Sequence, residues 1–252
     1  LDRIARTLGL PAEQVRAANF YRPGDHTHYG QEVQGAERIE RIWRELQESS
    51  DFARRQAEID AFNLRSPMHK RGLAITPVKF GISFTATVFN QGGAFVLVYR
   101  DGTAQVNQGG TEMGQGLLTK IRQIAADGLG IALEAVRVMP TRTDKVPNTS
   151  ATAASSGTDL NGAAVADACA SIRARLAPIA GQLLESPVQD IRFEAGEVRT
   201  RSGTRSVSFA ELCEAAYRQR VPLFAHGFYR TPGIHFDPTT GRGTPFHYFA
   251  FG

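Results

Sequence analysis

What the sequence lacks narrows it first. It has two cysteines, Cys169 and Cys213, and no CxxC. A disulfide framework is thereby excluded, and a structural zinc or iron–sulfur site built from this chain alone has too few thiolates. No apolar run approaches the roughly 18 residues that cross a bilayer, and no charged-then-apolar leader opens the chain. Charge is not gathered into a block: the net +4 and pI of about 9.3 arise from bases interleaved with acids, as in RRQAEID. Such interleaving gives no support to a nucleic-acid surface. The expectation is a soluble, cytoplasmic protein with neither nucleic-acid nor membrane partners.

What is present suits a globular fold. With 252 residues, 42% of them hydrophobic, the chain can bury a sizeable core. It begins at Leu1 inside a helical pattern and stops at HYFAFG, an aromatic run that reads as an unfinished buried strand. Both ends point to a piece of a longer polypeptide. The first third is helical: two short helices over 2–18, then a Gly- and His-rich loop, YRPGDHTHYGQEVQG. Helices follow over 36–48 and about 51–63, the first with Ile39, Ile42, Trp43 and Leu46 on one face.

From Arg71 the pattern turns to strands. Two apolar runs meet at Asp101-Gly102, which predicts a hairpin with a two-residue turn. NQGGTEMGQG, a helix over about 116–129 and a strand near Val136 then make a crossover unit. A small-residue, hydroxyl-rich stretch, VPNTSATAASSGTD, leads into a helix over about 158–177, ended by Pro178. Beyond it come a strand pair around Gly196, a capped helix in SFAELCEAAYRQR, and a strand with a turn in FAHGFYRTPG.

GGTEMGQG and TAASSGTD share one design. Each precedes a helix, whose first-turn N–H groups and partial positive charge favour an anion. Small residues let a ligand approach the backbone. The competing reading is ordinary capping by Thr111 and by Thr158 or Asp159, since neither segment is a Walker loop or a GxGxxG. Glu112 is an acid–base candidate, but a carboxylate beside a helix start more often caps it. His26 and His28 form a His-x-His with no third ligand near, and read as part of a polar loop. Alternation in KFGISFT places Phe80, Ile82 and Phe84 on one face, either flanking a flat ligand or packed as core.

Taken in order, PVKFGISFT, NQGGTEMGQGL, VPNTSATAASSGTD and GFYRTP resemble the molybdenum-cofactor part of the xanthine dehydrogenase family. The resemblance runs from GLPAEQVRAANFY to PFHYFAFG. It implies an α+β fold of mixed sheets with packed helices, here a supporting helical segment over 1–70 and a cofactor-binding subdomain over 71–252, truncated at its C-terminus. It also implies molybdenum–molybdopterin as cofactor, with Gln115, Met113, Gly114, Ser155 and Thr158 holding it and the backbone of Ala154 beside the metal. Phe84 and Thr85 would contact the substrate, with Ala153 and Ala154 lining the same place. Gly157 departs from animal members, which tend to carry a hydroxyl residue there. The implied activity is hydroxylation of purines, hypoxanthine to xanthine to urate. The catalytic Glu of the family's GEPP-type segment is absent, so no residue here is expected to be catalytic and the chain alone to be inactive. Iron–sulfur clusters of the 2Fe-2S type and FAD would reside in other domains or subunits, and the complete enzyme would be a homo- or hetero-oligomer. Three other readings stay open: an aldehyde or other N-heterocycle hydroxylase of the superfamily, a non-catalytic cofactor-binding or interaction module, and a nucleotide-binding protein using the two helix starts, for which no P-loop lysine is present.

Overall fold

The computed structural model describes residues 1–146 and 148–251. Pro147, the second residue of VPNTSATAASSGTD, and the terminal Gly252 lie outside the described residues. The fold is α+β, as expected from the resemblance, and the chain forms two compact units. One comprises Leu1–Thr85 with the chain from Gly233 onward, and the other Ala86–Pro232.

The first unit opens with helices α1 (Asp2–Leu8), α2 (Ala12–Ala17), α3 (Glu37–Ser49) and α4 (Phe52–Arg65). The α3 stripe is amphipathic as its spacing requires, with Ile39 and Trp43 buried. Trp43 packs with Phe52 and Ile75, and Phe20 meets its ring edge-on with centroids 5.2 Å apart. Strand β1 (Pro77–Ile82) pairs antiparallel with the last strand, β11 (Phe246–Phe251), which follows the short antiparallel pair β9 (His235–Asp237) and β10 (Arg242–Thr244). That last strand is not the buried element expected: Phe246 and Tyr248 are 47% and 45% exposed. The alternation expected through Phe84 also fails. β1 ends at Ile82 and Ser83 adopts φ 117°, which turns the chain before Phe84 can continue the face.

The second unit carries the larger core. Its sheet has the order β4–β3–β2–β8, from β2 (Gln91–Val98), β3 (Ala104–Gln108), β4 (Val136–Val138) and β8 (Phe224–Arg230). β2 and β3 form the expected hairpin, but with a three-residue loop. Tyr99 N–H donates to Thr103 O at 2.8 Å, and Gly102 takes φ 83°, the left-handed residue that such a loop needs. β3 and β4 run parallel across helix α5 (Leu117–Leu129), which bears out the crossover unit.

Helix α6 (Gly157–Leu183) packs on β2 and β8 through Leu160, Ala164, Val165, Ala168, Cys169, Ile172 and Leu176. Its expected end at Pro178 is corrected, because the helix continues past the proline. Pro178 faces solvent, so water can serve the carbonyl it leaves unpaired. Ile179, Ala180 and Leu184 stay buried and hold the last turn down. A small three-stranded sheet, β5 (Ile191–Glu194), β6 (Glu197–Thr200) and β7 (Ser206–Ser208), precedes α7 (Phe209–Arg218). That helix has the expected cap, a reciprocal box between Ser208 and Glu211. Among the described residues, no helix is long and apolar enough to cross a membrane.

Candidate functional site

β3 runs into the glycine loop through buried Gln108. Its Nε2 donates to Gly110 O at 2.9 Å while its Oε1 accepts the Gly110 N–H at 2.5 Å. An added Cβ at Gly110 would lie 2.5 Å from Leu117 Cδ2 and 2.8 Å from Asn161 Nδ2, so a larger residue would have to displace both of these buried side chains. The rest of the loop is exposed and closes on itself. Glu112 Oε1 accepts the N–H groups of Gly114 and Gly116 at 2.8 and 3.0 Å, and Oε2 accepts that of Leu118 at 3.0 Å. The Leu118 amide contributes most to holding this carboxyl below the ordinary carboxylate range, with those of Gly114 and Gly116 assisting. Glu112 therefore caps α5, the scaffold role. Thr111, the expected cap, does not: the N-cap position is Gly116, φ 76°. Gln115 is engaged at both ends of its amide. Its Oε1 accepts Met113 N–H at 2.6 Å and its Nε2 donates to Thr111 O at 2.9 Å.

The start of α6 is built differently. Ala154 and Ser155 both lie in the left-handed region, φ 52° and 54°. Consecutive non-glycine residues there cost on the order of 1–3 kcal/mol each and persist only where surroundings enforce them. Buried Ser156 anchors the turn by donating its hydroxyl to Ala153 O at 3.1 Å. Ser156 is also the N-cap residue, yet it makes no side-chain cap, and among the described residues neither Thr158 nor Asp159 plays the expected capping role. Among the described residues, the first-turn N–H groups of Gly157 and Thr158 thus meet no side-chain acceptor at the cap.

Two hydrogen bonds tie the two segments together, and a third fixes Asn161 on its own helix. Thr111 N–H donates to Thr152 Oγ1 at 2.9 Å across 41 residues. Gly109 N–H donates to Asn161 Oδ1 at 3.2 Å, and Asn161 Nδ2 donates to Gly157 O at 2.8 Å. Gly109 also packs so closely on Thr149 that an added Cβ would lie 2.6 Å from its Cβ. Together the segments wall a groove of about 640 Å³ lined by Gly109, Thr111, Thr141, Arg142, Thr149 and Thr152 among others.

Comparison with known proteins identifies the family. Residues 45–252 match the model of the molybdopterin cofactor-binding domain. The chain belongs to that family. Xanthine dehydrogenase from Oryza sativa subsp. japonica is 43% identical over 252 residues, all of this chain and 17% of that protein. Xanthine dehydrogenase/oxidase from Felis catus is equally similar over the same share. Among solved structures, quinoline 2-oxidoreductase from Pseudomonas putida 86 superposes with a TM-score of 0.66 over 98% of this chain and 35% of its own. Its 24% identity makes that a likeness of fold. The chain spans about a sixth of the length of the curated relatives it matches.

The donor set suits the anionic cofactor that gives the family its name. The uncapped start of α6 supplies backbone donors, and small Ala153 and Ala154 leave room beside it. The start of α5 is different, because Glu112 already fills it with a carboxylate. Met113, Gly114, Gln115, Ala153, Ala154, Ser155 and Thr158 all lie in the second unit, on the two tied segments. Phe84, half-buried, and Thr85, exposed, belong to the first unit. The His26 backbone forms an isolated antiparallel β-bridge with that of Glu32, its ring Nδ1 lies 3.0 Å from Gly24 O, and the His28 ring meets Tyr29 edge-on. Among the described residues no group of three His, Cys, Asp or Glu side chains is placed to hold a metal ion. Sequence reasoning missed Thr152 and Asn161, which contribute the ties. Only proximity in space marks them, and no local pattern does.

Proposed function

We propose that this chain is the cofactor-cradling part of a xanthine dehydrogenase-type molybdenum hydroxylase acting on purines, hypoxanthine to xanthine to urate. The observation that carries the reading is the tying together of the two expected cofactor segments by Thr111–Thr152 and Gly109–Asn161. Identity of 43% over the whole chain to xanthine dehydrogenases supports the purine assignment.

In this reading molybdopterin, when bound, supplies the two-electron redox chemistry. The chain's own residues bind and orient. Gln115 hydrogen-bonds the pterin through its amide, and Met113 and Gly114 offer backbone N–H groups to the phosphate. Both amides are satisfied inside the loop, by Gln115 and Glu112 respectively, so binding there is an exchange of hydrogen bonds. Exchange costs less than exposing an unpaired donor and leaves the loop ordered beforehand. Ser155 and Thr158 hold pterin and phosphate from the start of α6. Ala154 would hold the cofactor through its backbone, and its small side chain would leave the room that the group needs. Phe84 meets the purine edge-on and Thr85 hydrogen-bonds it. The general base lies outside this chain, as do the 2Fe-2S and FAD parts that carry electrons away in the cytoplasmic, oligomeric enzyme.

Gln115→Ala in the complete enzyme tests the assignment. Molybdenum and pterin content per protein should fall; unchanged content would count against it. The isolated chain should give no xanthine-dependent NAD reduction, and clear turnover would overturn its place as a fragment of the machinery.

A further inference from the structure

We infer that Thr152 and Asn161 are positioning residues that set the spacing between the two cofactor segments, without themselves touching the cofactor. The inference rests on the proposed role of those segments and goes beyond it by naming what holds them in register. Thr152 lies just before Ala153, on the strained turn, and its hydroxyl accepts the N–H of Thr111, just before Glu112. One side-chain oxygen thus joins the two loops where each begins to present its groups. Asn161 works from behind. It is buried one turn into α6, with its amide oxygen on Gly109 and its amide nitrogen on Gly157. A buried amide satisfied at both ends admits one geometry, because moving either segment leaves a polar group without a partner in a water-poor site.

The left-handed pair Ala154–Ser155 gives the clamp its importance. That turn is unfavourable by itself, and residues at both of its flanks, Thr152 and Asn161, are tied to the glycine loop. Releasing a tie lets the turn relax toward ordinary backbone angles. The donors of α6 then move relative to those of the glycine loop, and a ligand bridging both is held less well.

Thr152→Val and Thr152→Ser in the complete enzyme separate this from a purely structural role. Valine keeps the shape and removes the acceptor, whereas serine keeps the acceptor. Molybdopterin should leave the valine variant about tenfold faster than the parent, as expected for one lost hydrogen bond, and the serine variant should restore the parent rate. Hydrogen exchange at the Thr111 amide should accelerate by a similar factor in the valine variant only. Parent-like release and exchange in the valine variant would overturn the inference, and so would a serine variant that fails to rescue either. A parent enzyme that carries no molybdopterin would sink the functional reading instead, while amide exchange still decides whether the clamp exists. If the valine variant folds poorly, Asn161→Ala takes its place. Alanine removes the acceptor for the Gly109 N–H, the bond that crosses between the segments; release should again quicken, and unchanged release would count against the clamp.

Discussion

Gly227→Ala examines the contact on which the second unit depends. Gly227 lies in the middle of β8, where α6 crosses the sheet and Ala164 and Ala168 face it. An added Cβ would sit 3.0 Å from Ala164 C and 2.7 Å from Ala168 N, and would press still harder on the Ala164 carbonyl oxygen. All three are helix backbone atoms, so no rotamer change relieves the clash. The helix must lift from the sheet or β8 must bend away, and either response opens packing around Val165, Ala168 and Ile172, which are all fully buried. Overpacking costs about 1–3 kcal/mol, and an unyielding backbone contact puts this case near the top of that range. For a domain of this size the melting temperature should drop by about 6–12 °C. Thermal unfolding followed by circular dichroism measures it. Gly157→Ala on the same helix is the control. Its nearest new contact would be 3.5 Å from the Thr152 methyl, and alanine is the better helix residue by up to about 1 kcal/mol. That variant should melt at or above the parent temperature. A Gly227→Ala protein that melts with the parent would refute so close an approach of α6 to β8. It would also remove one support for the fixed spacing between the start of α6 and the glycine loop.

Two further outcomes follow from charge and burial. Glu112→Ala should lower the melting temperature at neutral pH by removing the carboxylate that caps α5. The folded carboxyl titrates below its ordinary value of 4.5, so its contribution is complete above that pH and disappears as pH falls beneath it. The gap between parent and variant melts should therefore close in acid, and a gap that widens there would contradict the cap. Cys169 and Cys213 are both fully buried, and burial pushes each thiol up to about 12. Thiol reagents at pH 8 should label neither cysteine until the protein is unfolded, and stoichiometric labelling of the native chain would show the core to be open.

Elements whose pattern is local were legible in the sequence. The α3 stripe, the crossover through α5 and the Ser208–Glu211 box each depend on residues a few positions apart, and each appears where the spacing puts it. Elements set by distant partners were not. Pro178 signals a helix end by every local rule. The buried Ile179, Ala180 and Leu184 beyond it outweigh one lost hydrogen bond, and nothing near Pro178 in sequence announces that burial. Ser83 likewise hides its φ of 117°, because serine carries no mark of the left-handed region as glycine does.

The candidate site divides along the same line. Glycines and hydroxyls advertised two helix starts able to receive an anion, and on composition the two looked alike. Their capping makes them unequal. Glu112 places a negative charge at one start, and the other is left without a side-chain cap behind a strained turn. In the proposed role a phosphate at the glycine loop would have to take the Met113 and Gly114 amides in exchange for Gln115 and Glu112. At α6 it would meet donors for which no side chain competes at the cap among the described residues. Neither duty can be read from GGTEMGQG or TAASSGTD alone, because the difference lies in which acceptor reaches each set of amides after the chain has folded.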